Sequence, residues 1–350
     1  MTRTSNSLWS PSRRVFLKAA TGVGTLSLAG CLTDANGSAN VHAYVTDTYD
    51  GSVTVIDSHT LAVVETIDVG EATTHGIAVD SEERYVYVGD EPTGQVVVID
   101  TDGYEVVETI DLGKYVHGLD VSPDGEDLYV STDDSQDADE GSGELIVIDA
   151  NTFSVRDRIP TEGSGHTIFD PDGLYAYVTM YHYGPGHQDM NRIGVIERAS
   201  RNFVQTVSVN EGTINEIGVD PAGDILYLGS RTGEYVSAVS TDTWEEVRRI
   251  DTGTGTHGIT VPPDGHHVWT ANRGTSDIRV FETESGDLVE TIVGGDNHIT
   301  VSPDGSQIYA TSIQDEVIVV DADSYEILER IAVGGLPHEI TFPAGARRYE

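Results

Sequence analysis

Short alternating apolar runs, separated by turn signals, recur along most of the chain. One copy contains residues 117–121, a turn at 122–125, and further runs at 128–130, 144–149 and 155–159. The runs are rich in Val, Ile and Tyr with period-two alternation, which predicts β-strands rather than helices. The Pro-Asp-Gly sequence between runs favours a turn, because proline presets φ and glycine accepts a positive φ. Each copy therefore predicts one four-stranded antiparallel unit.

Copies of this unit follow one another at intervals of about 40 to 50 residues, a period typical of propeller blades. They open near His75, His117, His166, Asn215, His257, His298 and His338. The third strand of the unit recurs in step with these openings, at residues 96–100, 193–197, 278–282 and 317–321. The pattern predicts an all-β, seven-bladed β-propeller of four-stranded antiparallel blades over residues 41–345, followed by a tail at 346–350.

The two ends of the repeat region complete each other. The last copy stops after one strand at residues 337–342 and a turn at 343–345, and residues 41–70 supply the three strands that it lacks. We therefore predict a ring closed by pairing of N- and C-terminal strands, since such pairing removes an exposed seam between strand edges.

The motifs resemble those of YVTN-type β-propeller repeats, with Ser-Pro-Asp-Gly at residues 122–125, Tyr-Val at 129–130 and Val-x-Val-Ile-Asp at 53–57. The resemblance covers nearly all of residues 41–345 and implies the fold. Similar propellers include surface-layer proteins, lactonases, amine dehydrogenase subunits, and haem d1 or copper-cluster domains. The fold alone therefore does not decide the activity.

The first forty residues differ from the repeats. Residues 12–18, with Arg13 and Arg14, resemble a twin-arginine export motif, and residues 28–31 resemble a lipoprotein cleavage site ending at Cys31. The apolar stretch between them is too short and too rich in Gly and Thr for a stable membrane span. We predict a signal peptide at 1–31, a flexible tether at 32–40, and anchoring to the outer face of the cell membrane by lipidated Cys31. The other interpretation is a stray buried cysteine in a disordered leader.

The charge is strongly negative and typical of a protein from an extreme halophile. The net charge is −40, and residues 1–31 contribute four positive charges and no negative ones, so removing them leaves −44. Such charge keeps a protein soluble in molar salt, where the Debye length falls to roughly 3 Å, and it excludes nucleic acid as a partner. We expect a monomer. Acidic residues 133–140 are interpreted as a solvated loop, with a calcium loop as the alternative.

Histidines recur where the inner strand of each predicted blade begins, at the mouth of the central channel. His75, His117, His257 and His338 occupy the same position in the inner strands of their copies. His298 lies one residue later in its copy, after Asn297. A shift of one residue turns a side chain to the other face. His166 is ambiguous because its strand has lost a residue, and Asn215 replaces histidine in the remaining copy.

This histidine ring has three interpretations. Converging imidazoles could bind copper, zinc or iron, or ligate a cofactor, as in the copper-cluster propeller of nitrous oxide reductase. Alternatively, each imidazole caps its inner strand through a hydrogen bond and was copied by duplication. Direct contact with a substrate is the third interpretation. The cofactor is therefore unknown, with a transition metal such as copper as the candidate.

Two further features belong to the same predicted face. The loop at residues 181–190 carries His182 and His187 together with Tyr and Met, which suits soft-metal ligation or a lid, although an ordered surface insertion explains it equally. Arg192, Arg231 and Arg273 could form an anion-attracting rim. Asp90, Asp134 or Glu234 could instead serve as their counter-charges.

Motifs for other chemistry are absent from the sequence: it has no Gly-x-Ser-x-Gly elbow, Cys-x-x-Cys pair, phosphate loop or haem-attachment motif. Aromatic residues at one strand position, Tyr85, Tyr129, Tyr227 and Trp269, are predicted to pack between blades. We predict a lipid-anchored extracytoplasmic module that binds a small molecule or a protein at the His/Arg-lined mouth. The alternatives are a metal- or cofactor-dependent oxidoreductase and a lactonase-like hydrolase, and the catalytic residues are unknown.

Overall fold

The computed structural model describes residues 41–70, 74–91, 93–134, 143–180, 191–209 and 212–343. These residues form seven four-stranded sheets, and all strand pairs within the sheets are antiparallel. The predicted all-β architecture with seven blades is confirmed. No helix long and apolar enough to cross a membrane occurs in this described part of the chain.

The strands are numbered in chain order. The first seven are β1 (His42–Asp47), β2 (Ser52–Asp57), β3 (Ala62–Asp68), β4 (Thr74–Val79), β5 (Tyr85–Asp90), β6 (Gln95–Asp100) and β7 (Glu105–Asp111). The next eight are β8 (Tyr115–Val121), β9 (Asp127–Asp133), β10 (Glu144–Asp149), β11 (Val155–Pro160), β12 (Thr167–Phe169), β13 (Tyr175–Thr179), β14 (Arg192–Glu197) and β15 (Asn202–Ser208).

The second half of the ring continues this order. Its strands are β16 (Ile214–Val219), β17 (Ile225–Ser230), β18 (Tyr235–Ser240), β19 (Glu246–Asp251), β20 (Thr256–Thr260), β21 (His267–Asn272), β22 (Asp277–Glu282) and β23 (Leu288–Val293). The last five are β24 (Ile299–Val301), β25 (Gln307–Ser312), β26 (Glu316–Asp321), β27 (Ile327–Ala332) and β28 (Pro337–Thr341).

Each blade has its first strand innermost. Blade 1 consists of β28, β1, β2 and β3, and blades 2 to 7 take four consecutive strands each, starting with β4, β8, β12, β16, β20 and β24. The inner strands contact one another in a closed cycle that runs from β28 through β4 to β24 and back to β28. The inner strands therefore surround a central channel.

The two ends of the described propeller meet in blade 1, as predicted. Strand β28 pairs antiparallel with β1, with Ile340 opposite Val45. The Leu336 N–H donates to Asp47 Oδ1 at 3.2 Å. Phe342 is 2% exposed, and its ring centroid lies 5.1 Å from that of Tyr309 in blade 7. Closure thus combines a strand ladder with packing against the neighbouring blade.

Large aromatic residues of the second strands pack between blades, with one correction to the prediction. At equivalent register positions lie Tyr44, Tyr87, Tyr129, Tyr177, Tyr227, Trp269 and Tyr309, none more than 3% exposed. In blade 2 the buried residue is therefore Tyr87 and not Tyr85. Tyr85 is only half-buried, with its ring 5.2 Å from that of Phe153.

Candidate functional site

The inner strands bend at the positions where histidines were predicted. The pairing register shifts between Thr74 and Ile77 in β4 and between Val116 and Leu119 in β8. Equivalent shifts flank Asn215 in β16, His257 in β20 and the pair His338 and Glu339 in β28. These are β-bulges, which re-aim a side chain by adding one residue to a strand.

Register assigns the inner-strand residues to two successive positions. The first position holds His75, His117, Gly165, Asn215, His257, Asn297 and His338, which confirms the shared phase of the four predicted histidines. The second position holds Gly76, Gly118, His166, Glu216, Gly258, His298 and Glu339. The ambiguity about His166 is resolved: it occupies the same position as His298.

Glycine at the second position allows neighbouring inner strands to approach closely. A Cβ atom added to Gly76 would lie 2.6 Å from the carbonyl oxygen of His117, and one added to Gly118 would lie 2.6 Å from that of Gly165. Both contacts are with backbone, which cannot move aside as a flexible side chain can. The inner strands of blades 2 and 3 therefore each contribute one polar side chain at these two positions, a histidine, to the head of the channel, which is the end where the inner strands begin.

Six of the predicted histidines meet in one group, which we call the histidine cluster: His75, His117, His166, His257, His298 and His338. None is more than 7% exposed. Ring centroids are 4.0 Å apart for His75 and His338, 4.5 Å for His75 and His117, and 4.6 Å for His298 and His338. His257 and His166 lie 4.9 and 5.1 Å from His298. His182 and His187 lie outside the described residues.

Three glutamates accompany the cluster, of which Glu91 and Glu216 are buried and Glu339 is partly exposed, and the sequence reasoning missed them. His166 Nδ1 lies 3.1 Å from Glu339 Oε1, His298 Nδ1 lies 3.5 Å from Glu216 Oε2, and His75 Nε2 lies 3.7 Å from Glu91 Oε1. Aligning the repeats would have identified Glu216 and Glu339, because they stand where other copies have glycine or histidine. Glu91 follows β5 and carries no such signal.

Burial controls the protonation of the cluster. It lowers the pKa of five imidazoles well below the usual value, and nearby positive groups lower it further; the five are His75, His117, His257, His298 and His338. Burial acts on His166 in the same direction, but Glu216, Glu339 and Glu91 outweigh it and raise that pKa to about 9. Burial also raises the pKa of Glu91 and of Glu216 to about 7. Neutral imidazoles, the form that binds metals, therefore predominate at neutral pH.

Several ring nitrogens of the cluster are buried without a hydrogen-bond partner. These are Nδ1 of His75, His257 and His338, and Nε2 of His298. An imidazole that caps its strand would use such an atom in a hydrogen bond, and leaving a buried polar group unsatisfied costs about 1–3 kcal/mol. The structure therefore does not favour strand capping as the role of these four side chains.

Among the residues that the structure describes, the histidines of the cluster, alone or with Glu91 or Glu339, form four sets of three side chains whose ligand atoms lie within 4.8 Å of one another. The sets are His257, His298 and His338; His75, Glu91 and His117; His75, His338 and Glu339; and His166, His298 and Glu339. Imidazole nitrogens suit zinc, copper, iron and nickel. The donor types in these sets therefore suit a transition metal.

The three predicted rim arginines separate into two groups. The guanidinium of Arg273 donates through Nη2 to Asn297 Oδ1, and both Arg273 and Arg231 lower the pKa of His257, after burial. Arg192 instead forms an ion pair with Glu162. Arg231 and Arg273 thus act on the cluster through their charge, and Arg192 is paired with Glu162. Asp134, considered above as a counter-charge, binds Lys114 Nζ at 2.6 Å.

A cavity of about 170 Å³ lies in the channel next to the cluster. Apolar side chains such as Ile77, Ile217 and Phe342 line it, with His166, Glu216, His298 and Glu339 at the polar end. Glu339 Oε2 accepts the Ile77 N–H at 3.0 Å, and Asp120 Oδ2 accepts the Phe169 N–H at 3.0 Å. These carboxylates satisfy backbone donors at the free edges of the inner strands.

Comparison with known proteins agrees with this architecture. Residues 188–347 match the family model described as "YNCE-like beta-propeller". This chain is a seven-bladed β-propeller, and the family match covers less than half of it. The match to the family model identifies the fold and does not identify the residues of a functional site.

Relatives and similar structures point to the same fold. The chain is 26% identical over 207 residues to hydrazine synthase subunit beta of Kuenenia stuttgartiensis, covering 47% of this chain and 53% of that protein. It thus spans about half the length of this curated relative. The solved hydrazine synthase of the same organism superposes with a TM-score of 0.69 at 18% identity, covering 81% of this chain and 92% of that one.

A second solved structure is a functionally unknown protein from Desulfotomaculum acetoxidans DSM 771. Its TM-score is 0.71 at 16% identity, over 86% of this chain and 98% of that one. At this level of identity both structures show the fold alone. The cluster, rather than the comparisons, must therefore support any proposal about function.

Proposed function

We propose that this propeller is an exported, lipid-anchored binding module that holds a transition metal ion at the head of its channel and binds a small ligand there. The observation that carries the proposal is the set His257, His298 and His338, three buried histidines with ligand atoms within 4.8 Å of one another. Each of the three also has a buried ring nitrogen without a hydrogen-bond partner.

Three imidazoles leave a zinc ion one open position, which a water or a ligand takes in sites of this type. The nearby Arg231 and Arg273 supply positive charge in a chain whose net charge is −40. A small anion is therefore the ligand class that we propose, since guanidinium groups suit carboxylates and phosphates. The likeness to a hydrazine synthase subunit supports testing a protein partner as well.

Export rests on the sequence alone. The twin-arginine pattern at Arg13 and Arg14 and the cleavage pattern ending at Cys31 support it, and they lie outside the described residues. Twin-arginine export carries folded proteins, so a metal bound in the cytoplasm would travel with the propeller.

The test is metal binding by the untagged chain in multimolar KCl. The protein is stripped with chelator and titrated with Zn²⁺, Cu²⁺ or Ni²⁺, and metal content and thermal unfolding are measured. A ligand that binds only the folded state stabilises it by about 2.7 kcal/mol at 100 times its Kd. We therefore expect a higher melting temperature with metal, reversed by chelator.

His257→Ala is the test variant and His266→Ala the matched control, because His266 is exposed in the same blade. Losing a direct ligand should weaken binding by more than the roughly 10–100-fold that losing an outer-shell partner costs, and the control should bind as the parent does. A wild-type protein that takes up none of the three metals, with unfolding indifferent to metal and chelator, would contradict the proposal.

A further inference from the structure

Five residues of the histidine cluster, together with Glu91, form two metal-ligand sets that share no residue. One is the set proposed above, His257, His298 and His338, from blades 6, 7 and 1. The other is His75, Glu91 and His117, from blades 2 and 3. A single ion cannot use both sets fully, because metal–nitrogen bonds are about 2.0–2.1 Å long and the two sets occupy different arcs of the ring.

The two sets are direct neighbours. His75 of one and His338 of the other have ring centroids 4.0 Å apart, the shortest separation between cluster rings in the described part of the chain. Nδ1 of each ring is buried without a hydrogen-bond partner. Two ions bound at these sets would therefore be close enough to share a ligand.

Glu339 lies where such a shared ligand is needed. It forms a set with His75 and His338 and a second set with His166 and His298. Its Oε2 is held by the Ile77 N–H at 3.0 Å, and its Oε1 lies 3.1 Å from His166 Nδ1 and 3.7 Å from His75 Nδ1. One oxygen therefore fixes the carboxylate and the other is directed toward the imidazoles.

The second set also has the surroundings expected of metal ligands. His117 has a hydrogen bond with the backbone of Gly165, and Glu91 is next to the Tyr115 hydroxyl. Outer-shell contacts of this kind fix the orientation of a ligating imidazole or carboxylate. The carboxylates Glu91, Glu216 and Glu339 provide negative charge to balance two divalent ions in a buried place.

We propose that the head of the channel holds two metal ions: one at His257, His298 and His338, and a second at His75, Glu91 and His117, with Glu339 between them. This inference rests on the proposed function and adds a second ion to it. Two neighbouring ions clamp both ends of a small bidentate anion, as two-metal sites do for a phosphate or a carboxylate. The ligand class therefore narrows to anions with two oxygen donors.

The experiment is metal stoichiometry, with Zn²⁺ as the probe. The untagged full chain is equilibrated with excess Zn²⁺ in KCl, desalted and analysed for zinc per chain. We expect two ions in the wild type, one in Glu91→Gln, one in His257→Ala, and none in the double variant. Glu234→Gln is the matched control, an exposed carboxylate at the mouth that belongs to neither set, and it should retain two.

Each departure from this pattern identifies which idea fails. One ion in both the wild type and Glu91→Gln would overturn the second site and leave the proposed function intact. No ion in the wild type would overturn both. Loss of both ions from either single variant that still unfolds cooperatively would contradict two separate sets. A melting curve for every variant, recorded without metal, distinguishes loss of a ligand from loss of the fold.

Discussion

Phe342 provides a direct test of how the ring closes. It follows β28 at the C-terminal end of the described propeller, is 2% exposed, and packs edge-on against Tyr309 with an interplanar angle of 80°. It belongs to the apolar cluster that joins blade 1 to blade 7, with Val45, Ile340 and Val319 among its members. Phe342→Ala removes this contact and leaves the β28 ladder in place.

The size of the effect follows from burial. A phenylalanine buries about 150–250 Å², which at about 25 cal/mol per Å² gives about 4–6 kcal/mol. Phe→Ala substitutions in cores cost about 3–5 kcal/mol because neighbours partly close the cavity. We therefore expect Phe342→Ala to lower the free energy of unfolding by about 4 kcal/mol.

Urea unfolding in multimolar KCl measures this loss, since urea leaves the ionic strength unchanged. With an m-value of about 3 kcal/mol per M, at the upper end of the range for small proteins, the midpoint falls by more than about 1 M. Phe281→Ala is the matched comparison: Phe281 is also 2% exposed but lies in β22 of blade 6, whose four strands are consecutive in the chain.

The comparison distinguishes a closed ring from a loosely docked end. If β28 is integral, the two variants cost about the same. A loss under about 1 kcal/mol for Phe342→Ala beside about 3–5 kcal/mol for Phe281→Ala would refute the reasoning. Ending the chain at Gly335, which removes β28 entirely, should abolish cooperative unfolding and expose the β1 edge to aggregation.

Two further predictions concern the predicted export signal and the pH dependence of the stability of the fold. Cys31→Ser should be exported but leave the membrane fraction, and Lys at both Arg13 and Arg14 should retain the protein in the cytoplasm; membrane retention of Cys31→Ser would reveal another anchor. His42 Nδ1 lies 2.9 Å from Glu83 Oε1, and this hydrogen bond raises the pKa of His42 despite burial. A raised pKa stabilises the fold below the unfolded value of about 6.5 and loses that effect as pH rises through the folded value. Glu83→Gln should therefore lower the melting temperature more at pH 6 than at pH 9, and an equal loss at both would contradict a charged His42.

The strand pattern and the phase of the histidines could be predicted because both are local properties. Alternation along residues 119–121 defines which side chains share a face, whereas a β-bulge at His117 and Gly118 interrupts it. The offset of His298 from the other histidines could be counted in the same way. His166 could not, since its phase depends on how β12 pairs with β13, where Ile168 lies opposite Tyr177. Tyr85 was wrongly chosen over Tyr87 for a similar reason: both face the same side of β5, and only packing selects one.

The site itself required the tertiary structure. Glu91, Glu216 and Glu339 are three acids among 59 in the sequence, and nothing in composition distinguishes them from the solvated majority. They become informative when the fold brings them to within 3.1 to 3.7 Å of imidazoles. Glu216 and Glu339 contact histidines of other blades, and Glu91 contacts His75 of its own blade. Arg192 was grouped with Arg231 and Arg273 because all three were predicted on one face of the propeller, yet Arg192 forms an ion pair with Glu162.

The sequence by itself determined the strands, the number of repeats and the pairing of the two ends, because alternation, turn residues and repeat period act over short stretches of chain. Closure of the ring determined which side chains meet at the site, how deeply they are buried and which of them are charged. It brings His75 and His338, from opposite ends of the propeller, to a centroid separation of 4.0 Å and excludes water from both. Burial then keeps five imidazoles of the cluster neutral. Desolvation depends on everything that surrounds a side chain, and no local pattern in the sequence contains that information.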